Sequence, residues 1–133
     1  MVTDPIADML TTIRNGLARR HDKISVTYSK MKIGVLEVLK ARGMIGEFEV
    51  VDTDKLGKKK NISIGLKYYQ GKPAITTIKR VSKPGKRIYT DYKSIPVVKN
   101  NYGFVILSTS RGIKDTFTAK REKVGGEIMC EVF

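Results

Sequence analysis

The sequence contains one cysteine and one histidine, Cys130 and His21. One of each cannot furnish a usual four-ligand zinc site without carboxylates, and no ligand spacing surrounds either residue. A lone cysteine also excludes an internal disulfide, and a reduced thiol fits a cytosolic or similarly reducing compartment. Cys130 falls in step with Ile128 and Val132 on an expected strand face. That placement argues for a buried structural thiol rather than half of a Cys–His nucleophilic pair. His21 stands among Arg19, Arg20, Asp22 and Lys23 and reads as solvated. Long apolar runs are missing too: Phe104-Val105-Ile106-Leu107 is strand-sized, far short of the roughly 20 residues of a membrane span. Met1-Val2-Thr3-Asp4-Pro5 has no basic region leading into an apolar one, so no signal peptide is expected. No Gly-x-Ser-x-Gly elbow, Walker loop or dinucleotide-binding glycine pattern occurs. The Gly-Lys pairs at 57–58, 71–72 and 85–86 sit in hairpin-like turns. No catalytic residue, metal, cofactor, membrane or small-molecule substrate is therefore expected.

Acidic residues are scarce relative to basic ones. The 133 residues hold 26 Lys and Arg against 13 Asp and Glu, a formal charge of +13. A charge this large repels itself and calls for a polyanionic partner, with nucleic acid the first choice and an anionic membrane the second. It is unevenly spread: residues 1–66 carry a net +4 and residues 67–133 a net +9. Hydrophobic residues make up 41%, so the chain has the composition of a globular protein rather than a disordered tail.

The periodicity predicts an α+β fold. Asp4-Pro5 reads as an N-cap followed by proline at the first helical position. Ile6, Met9, Leu10, Ile13 and Leu17 then form one apolar stripe. Lys23 to Tyr28 alternates as a half-buried strand. Ser29 caps a second helix with Met31, Val35, Val38 and Leu39 inward, and Gly43 stops it. From Glu47 the period becomes two. Phe48 and Val50 lead to a charged turn over 55–60, then Ile62, Ile64, Leu66 and Tyr68 share a face, and Ala74 to Val81 follows a turn at 70–73. These three strands are expected to form an antiparallel meander. Ser82-Lys83-Pro84-Gly85-Lys86 is a turn signal and the expected boundary between an N-terminal α+β subdomain, 1–82, and a β-rich C-terminal subdomain, 83–133. Short strands around Arg87–Thr90, Phe104–Ser108 and Glu127–Val132, and a helical turn or two within 115–123, complete the second part.

Three segments favour nucleic acid. Residues 79–89 bring Lys79, Arg80, Lys83, Lys86 and Arg87 together without an acid and end on Tyr89. Cations on a turn pair with phosphates, and an adjacent aromatic stacks on an exposed base; a solvated basic hairpin is the plainer alternative. Ser108-Thr109-Ser110-Arg111-Gly112 offers three hydroxyls, a charge and a flexible backbone. Such hydroxyls suit base edges, ribose and phosphate, though they equally satisfy local backbone groups. Val124-Gly125-Gly126-Glu127 allows close backbone approach but is also ordinary loop composition.

Together these segments resemble the family of bacterial small-subunit ribosomal protein eight. The run 108–112, twelve residues, then Gly125-Gly126-Glu127-Ile128 and Cys130 is similar to the family's C-terminal signature. Asp4-Pro5-Ile6-Ala7-Asp8-Met9-Leu10 with Ile13-Arg14-Asn15 is similar to its opening helix, and Leu66-Lys67-Tyr68 and Arg80 to Gly85 to its middle. The resemblance implies two α+β subdomains and direct binding to the central domain of small-subunit ribosomal RNA early in subunit assembly, at the platform. The target would be an internal loop in an RNA stem. It also implies other small-subunit proteins as partners, a place on the cytoplasmic ribosome and, in some bacteria, repression through a similar stem in the protein's own messenger RNA. The implied RNA contacts are Ser108, Thr109, Ser110, Arg111, Gly112, Gly125, Gly126 and Glu127, joined by Lys83, Lys86, Arg87 and Tyr89, with Lys32 on the second helix counted among them. One departure stands out. Where the family usually shows a basic Asp-Arg-x-Ala-Arg stretch, this chain has Asp115-Thr116-Phe117-Thr118-Ala119-Lys120, followed by Arg121 and Lys123.

Two other classes compete. A basic architectural DNA-binding protein would need a recognition helix or a basic arm, and both expected helices are committed to the core. An enzyme acting on RNA would need a carboxylate pair or a poised histidine. Asp4 and Asp8 lie one helical turn apart, but Asp4 is better explained as a cap.

Overall fold

The structure is a computed structural model that describes residues 4–133. The N-terminal expectation about a leader rests partly on residues 1–3, outside the described residues. In chain order the elements are α1 (Pro5–Ala18), β1 (Lys23–Thr27), α2 (Lys30–Ala41), β2 (Ile45–Asp52), β3 (Lys60–Leu66), β4 (Tyr68–Tyr69), β5 (Lys72–Pro73), β6 (Ile78–Arg80), β7 (Tyr89–Thr90), β8 (Phe104–Thr109), β9 (Gly112–Asp115), α3 (Thr116–Glu122) and β10 (Gly126–Val132). The fold is α+β, as the periodicity predicts.

The helix signals act as expected. The Asp4 carboxylate accepts from the Ala7 amide at 3.2 Å, and Ser29 Oγ accepts from the Lys32 amide at 3.2 Å. Each satisfies an amide that has no partner inside its helix. Gly43 takes φ +74 after α2, the left-handed geometry that glycine adopts without strain. Met31, expected inward, is instead about half exposed, and Leu36 takes its place in the stripe with Val35, Val38 and Leu39.

The chain packs as two compact units, residues 8–75 and residues 76–133 joined by 4–7. The division therefore falls ahead of the Ser82–Lys86 turn. The reason lies in strand pairing. In unit 8–75 a three-stranded antiparallel sheet runs β1-β3-β2, with β1 pairing β3 from Lys23↔Gly65 to Thr27↔Asn61. The expected meander is thus corrected at its third strand. The segment at 74–81 does not join β3; its strand, β6, pairs antiparallel with β10 (Ile78↔Val132, Arg80↔Cys130). Met9, Leu10, Ile13, Leu36, Leu39, Ile62 and Ile64 are fully buried in this unit, each contributing roughly 1.5–3 kcal/mol by leaving water.

In the other unit the sheet runs β6-β10-β8-β9, with β7 also pairing β10. Its core comprises Ile95, Val98, Val105, Leu107, Ala119 and Ile128. The β10–β8 register shifts between Ile128 and Cys130: Ile128 lies opposite Leu107, whereas Cys130 lies opposite Ile106. Leu107 and Ile106 are sequential and face opposite ways, so the bulge at Met129 puts Ile128 and Cys130 on opposite faces. The expected shared face of Ile128, Cys130 and Val132 is corrected accordingly. Cys130 is buried as expected, and desolvation pushes its thiol up to about 12 against the opposing charge of Arg80.

Candidate nucleic-acid interface

One end of the β7-β10-β8-β9 array gathers most of the candidate residues. Glu127 on β10 lies opposite both Tyr89 on β7 and Ser108 on β8, and Ser108 lies opposite Ile113 on β9. Directly paired residues share a face, so Tyr89, Glu127 and Ser108 form a polar row. It lies beyond the Leu107–Ile128 pair, whose side chains point the other way into the core. The next row places Thr90, Gly126, Thr109 and Gly112 side by side. Tyr89 is 69% exposed, a large apolar ring left in water. Arg87 extends the polar row by donating from NH1 to Glu127 Oε2 at 3.1 Å. That partly exposed pair contributes at most about 1 kcal/mol and leaves further guanidinium donors unspent.

Ser110 and Arg111 are the two-residue tip of the β8–β9 hairpin, and both are exposed. The three hydroxyls divide their work. Thr109 Oγ1 donates to the Gly112 carbonyl at 2.7 Å and accepts from the Arg111 amide at 3.1 Å, holding the turn. Ser110 makes no side-chain hydrogen bond among the described residues, so its donor and acceptors remain available. Gly112 has φ +104, a conformation from which side chains are largely barred. Arg111 and Lys114 both lean toward Glu122 of α3, at 3.9 and 3.5 Å.

The paired glycines serve a close approach within the protein. A Cβ on Gly126 would lie 2.1 Å from the Ser108 carbonyl oxygen, and one on Gly125 would lie 2.3 Å from the Thr90 carbonyl oxygen. Only glycine lets β10 run this close between β7 and β8, which sets the spacing of the polar row.

Lys83 and Lys86 flank a tight turn, with reciprocal amide-to-carbonyl bonds of 3.0 and 2.9 Å. Both are exposed, and neither forms an ion pair among the described residues. A residue that sequence reasoning passed over fixes this turn. Ser82 is fully buried, and its Oγ accepts from the Ile88 amide at 2.8 Å and donates to the Ile88 carbonyl at 3.2 Å. A serine between a valine and a lysine carries no signal of such a role. Arg80, read with the basic run, is likewise occupied inside the protein. Its Nε donates to Asp4 Oδ2 at 2.9 Å and its NH1 to the Met129 carbonyl at 2.6 Å. Burial works to raise the Asp4 carboxyl, but bonds from Arg80 and the Ala7 amide outweigh it and hold the group below its ordinary value.

Lys32 belongs to unit 8–75, whereas the other candidates belong to the second unit. It is buried, and its ammonium donates to the Thr27 carbonyl at 2.9 Å and to Thr27 Oγ1 at 2.7 Å. Desolvation draws it below the ordinary lysine value, opposed by Asp8. In the segment that departs from the expected arginine-rich stretch, α3 is capped by Asp115 Oδ1, which accepts from the Thr118 amide at 2.8 Å. Lys120, Arg121 and Lys123 are exposed there.

These features define a class: a small, strongly basic α+β protein that presents a polar sheet end and an unspent hydroxyl. A family model for ribosomal protein S8 matches residues 4–133. The small ribosomal subunit protein uS8 of Nitratidesulfovibrio vulgaris (strain DP4) is 49% identical over 133 residues, covering 100% of both chains. That of Rhizobium rhizogenes is 48% identical over 132 residues, covering 99% of this chain and 98% of the relative. That of Desulfovibrio desulfuricans is 46% identical over the full length of both. The chain belongs to the ribosomal protein S8 family, whose members are structural proteins and not enzymes.

Proposed function

We propose that this protein is a structural constituent of the small ribosomal subunit in the cytoplasm. It binds the central domain of small-subunit ribosomal RNA directly and, with neighbouring subunit proteins, helps assemble the platform. Family membership supports the ribosomal role, and RNA binding is general to the family. The observation that carries the local reading is the juxtaposition of Tyr89, Glu127 and Ser108 beside the free hydroxyl of Ser110. A ring for stacking, an acceptor and hydroxyl donors at one sheet end suit splayed bases and 2′-hydroxyls of an irregular stem; a regular A-form major groove is too deep and narrow to read. Arg111, Lys83, Lys86 and Arg87 supply phosphate contacts, and Thr109, Gly112, Gly125 and Gly126 hold the surface in shape. Lys32 is a separate candidate contact on unit 8–75, its ammonium bonded to the Thr27 carbonyl at the end of β1. The same surface would bind a similar stem in the protein's own messenger RNA and repress its translation.

Ser110→Ala tests the reading. It is expected to weaken binding to a central-domain stem by about 1–3 kcal/mol, the cost of leaving a buried partner unsatisfied, with thermal stability unchanged. Unchanged affinity for Ser110→Ala beside a large loss for Lys83→Ala/Lys86→Ala would remove the hydroxyl from recognition. A reporter fused behind the native leader tests repression, which should weaken in the same variant.

A further inference from the structure

The run Lys58-Lys59-Lys60, in the β2–β3 hairpin of unit 8–75, is not absorbed by the surface described above. It lines an open cleft of about 530 Å³ together with Tyr28, Thr53 and Asn61, and no carboxylate lines it. The lysines are exposed, but their backbone is pinned from both sides. The Lys59 carbonyl accepts from the Thr53 amide at 2.9 Å and from Thr53 Oγ1 at 3.1 Å, and the Lys60 carbonyl accepts from the Tyr28 amide at 3.1 Å. At the turn itself, Asp54 Oδ1 accepts from the Lys58 amide at 2.9 Å and Gly57 takes φ +66. Tyr28, between β1 and the cap of α2, is 39% exposed, with Lys60 Nζ 5.9 Å from its ring centroid. A positive groove beside an aromatic face is how proteins hold single-stranded nucleic acid: lysines follow phosphates and the ring stacks a base, without reading sequence.

We propose that this cleft is a second RNA contact, taking an unpaired nucleotide with its base on Tyr28 and the flanking phosphates on Lys58, Lys59 and Lys60. Thr53 and Asn61 offer polar groups to the sugar or base edge. Asp52, opposite Lys60 in the β2–β3 register, and Asp54 keep the hairpin's net charge modest. Selectivity therefore rests on stacking as well as charge, and a purely acidic partner lacks the group that Tyr28 would hold.

The test uses the full-length, isotope-labelled protein titrated with a 12-nucleotide oligouridylate, with poly-glutamate as a charge-matched control. Amide shifts at Tyr28, Thr53 and Asn61, saturating together with oligouridylate, are the expected result. Tyr28→Leu should weaken this site about fivefold or more, and Lys58→Gln/Lys59→Gln/Lys60→Gln should lower the salt slope by about two, from roughly 0.7 per phosphate on a single strand. A thermal melt confirms that each variant folds, and Ser110→Ala should leave these shifts in place, which separates this site from the sheet-end surface. Shifts confined to 108–112 would overturn the proposal. So would equal shifts with poly-glutamate that ignore Tyr28→Leu, an outcome that would assign the cleft to an acidic protein.

Discussion

Asp4 illustrates how one side chain serves two purposes. It caps α1 and holds Arg80 in a pair whose side chains are 17% and 10% exposed. Removing one member of so enclosed a pair leaves the other charge uncompensated, which costs about 3 kcal/mol. Asp4→Asn keeps an acceptor for the Ala7 amide and should show mainly that charge effect in chemical denaturation. The pH dependence follows from the lowered carboxyl. A group depressed in the folded state contributes stability that is present above its unfolded value of 3.8 and is lost as pH falls through the lower folded value. Wild-type stability should therefore drop in the acid range below about 4, and Asp4→Asn should flatten that part of the profile. An unchanged profile would mean that the pair is formed equally in the unfolded chain. The cap was legible in Asp4-Pro5. The ion pair was not, because a partner in a distant strand leaves no trace in local spacing.

Among the elements, β10 determines most of the sheet-end geometry. It pairs with β6, β7 and β8, and Gly126 is the residue where β7 and β8 close on it. Gly126→Ala places a methyl against the Ser108 carbonyl at 2.1 Å, so β10 or β8 must shift. The expected loss is about 1–3 kcal/mol of stability, with weaker RNA binding as the polar row opens. A variant as stable as wild type by thermal denaturation would show that the strand ends are looser than described. Periodicity revealed α1, α2 and most of the longer strands, since burial imposes a period of 3.6 or 2 on the chain, but β9 was not anticipated and β5 falls within the expected turn at 70–73. Periodicity could not say which strand pairs with which. Of the strand expected over 74–81 only Ile78–Arg80 forms, and its partner comes after three further strands. Nor could alternation foresee the bulge at Met129, which turns Ile128 and Cys130 to opposite faces. The hydroxyl run was visible as a candidate in the sequence. Its division of labour, Thr109 inward and Ser110 outward, depends on a hairpin register that no local pattern encodes.

For the whole molecule the central question is what the +13 charge does. Charge alone attracts any polyanion, and its effect fades as salt rises because binding then releases counterions into a richer solution. Shaped contacts at the sheet end would instead distinguish an irregular stem from a regular duplex, and that difference would survive salt. Counted by compact unit the charge is nearly even, +7 in residues 8–75 and +6 in residues 4–7 with 76–133, so net charge by itself does not single out the unit that holds the polar row. The most direct measurement is equilibrium binding of the full chain to a central-domain ribosomal RNA stem, a perfect RNA duplex and a DNA duplex, across a salt series. The account predicts tighter binding to the irregular stem, with a preference that persists as salt increases. Equal affinity for all three, falling together with salt, would contradict it and reduce the basic surface to nonspecific attraction.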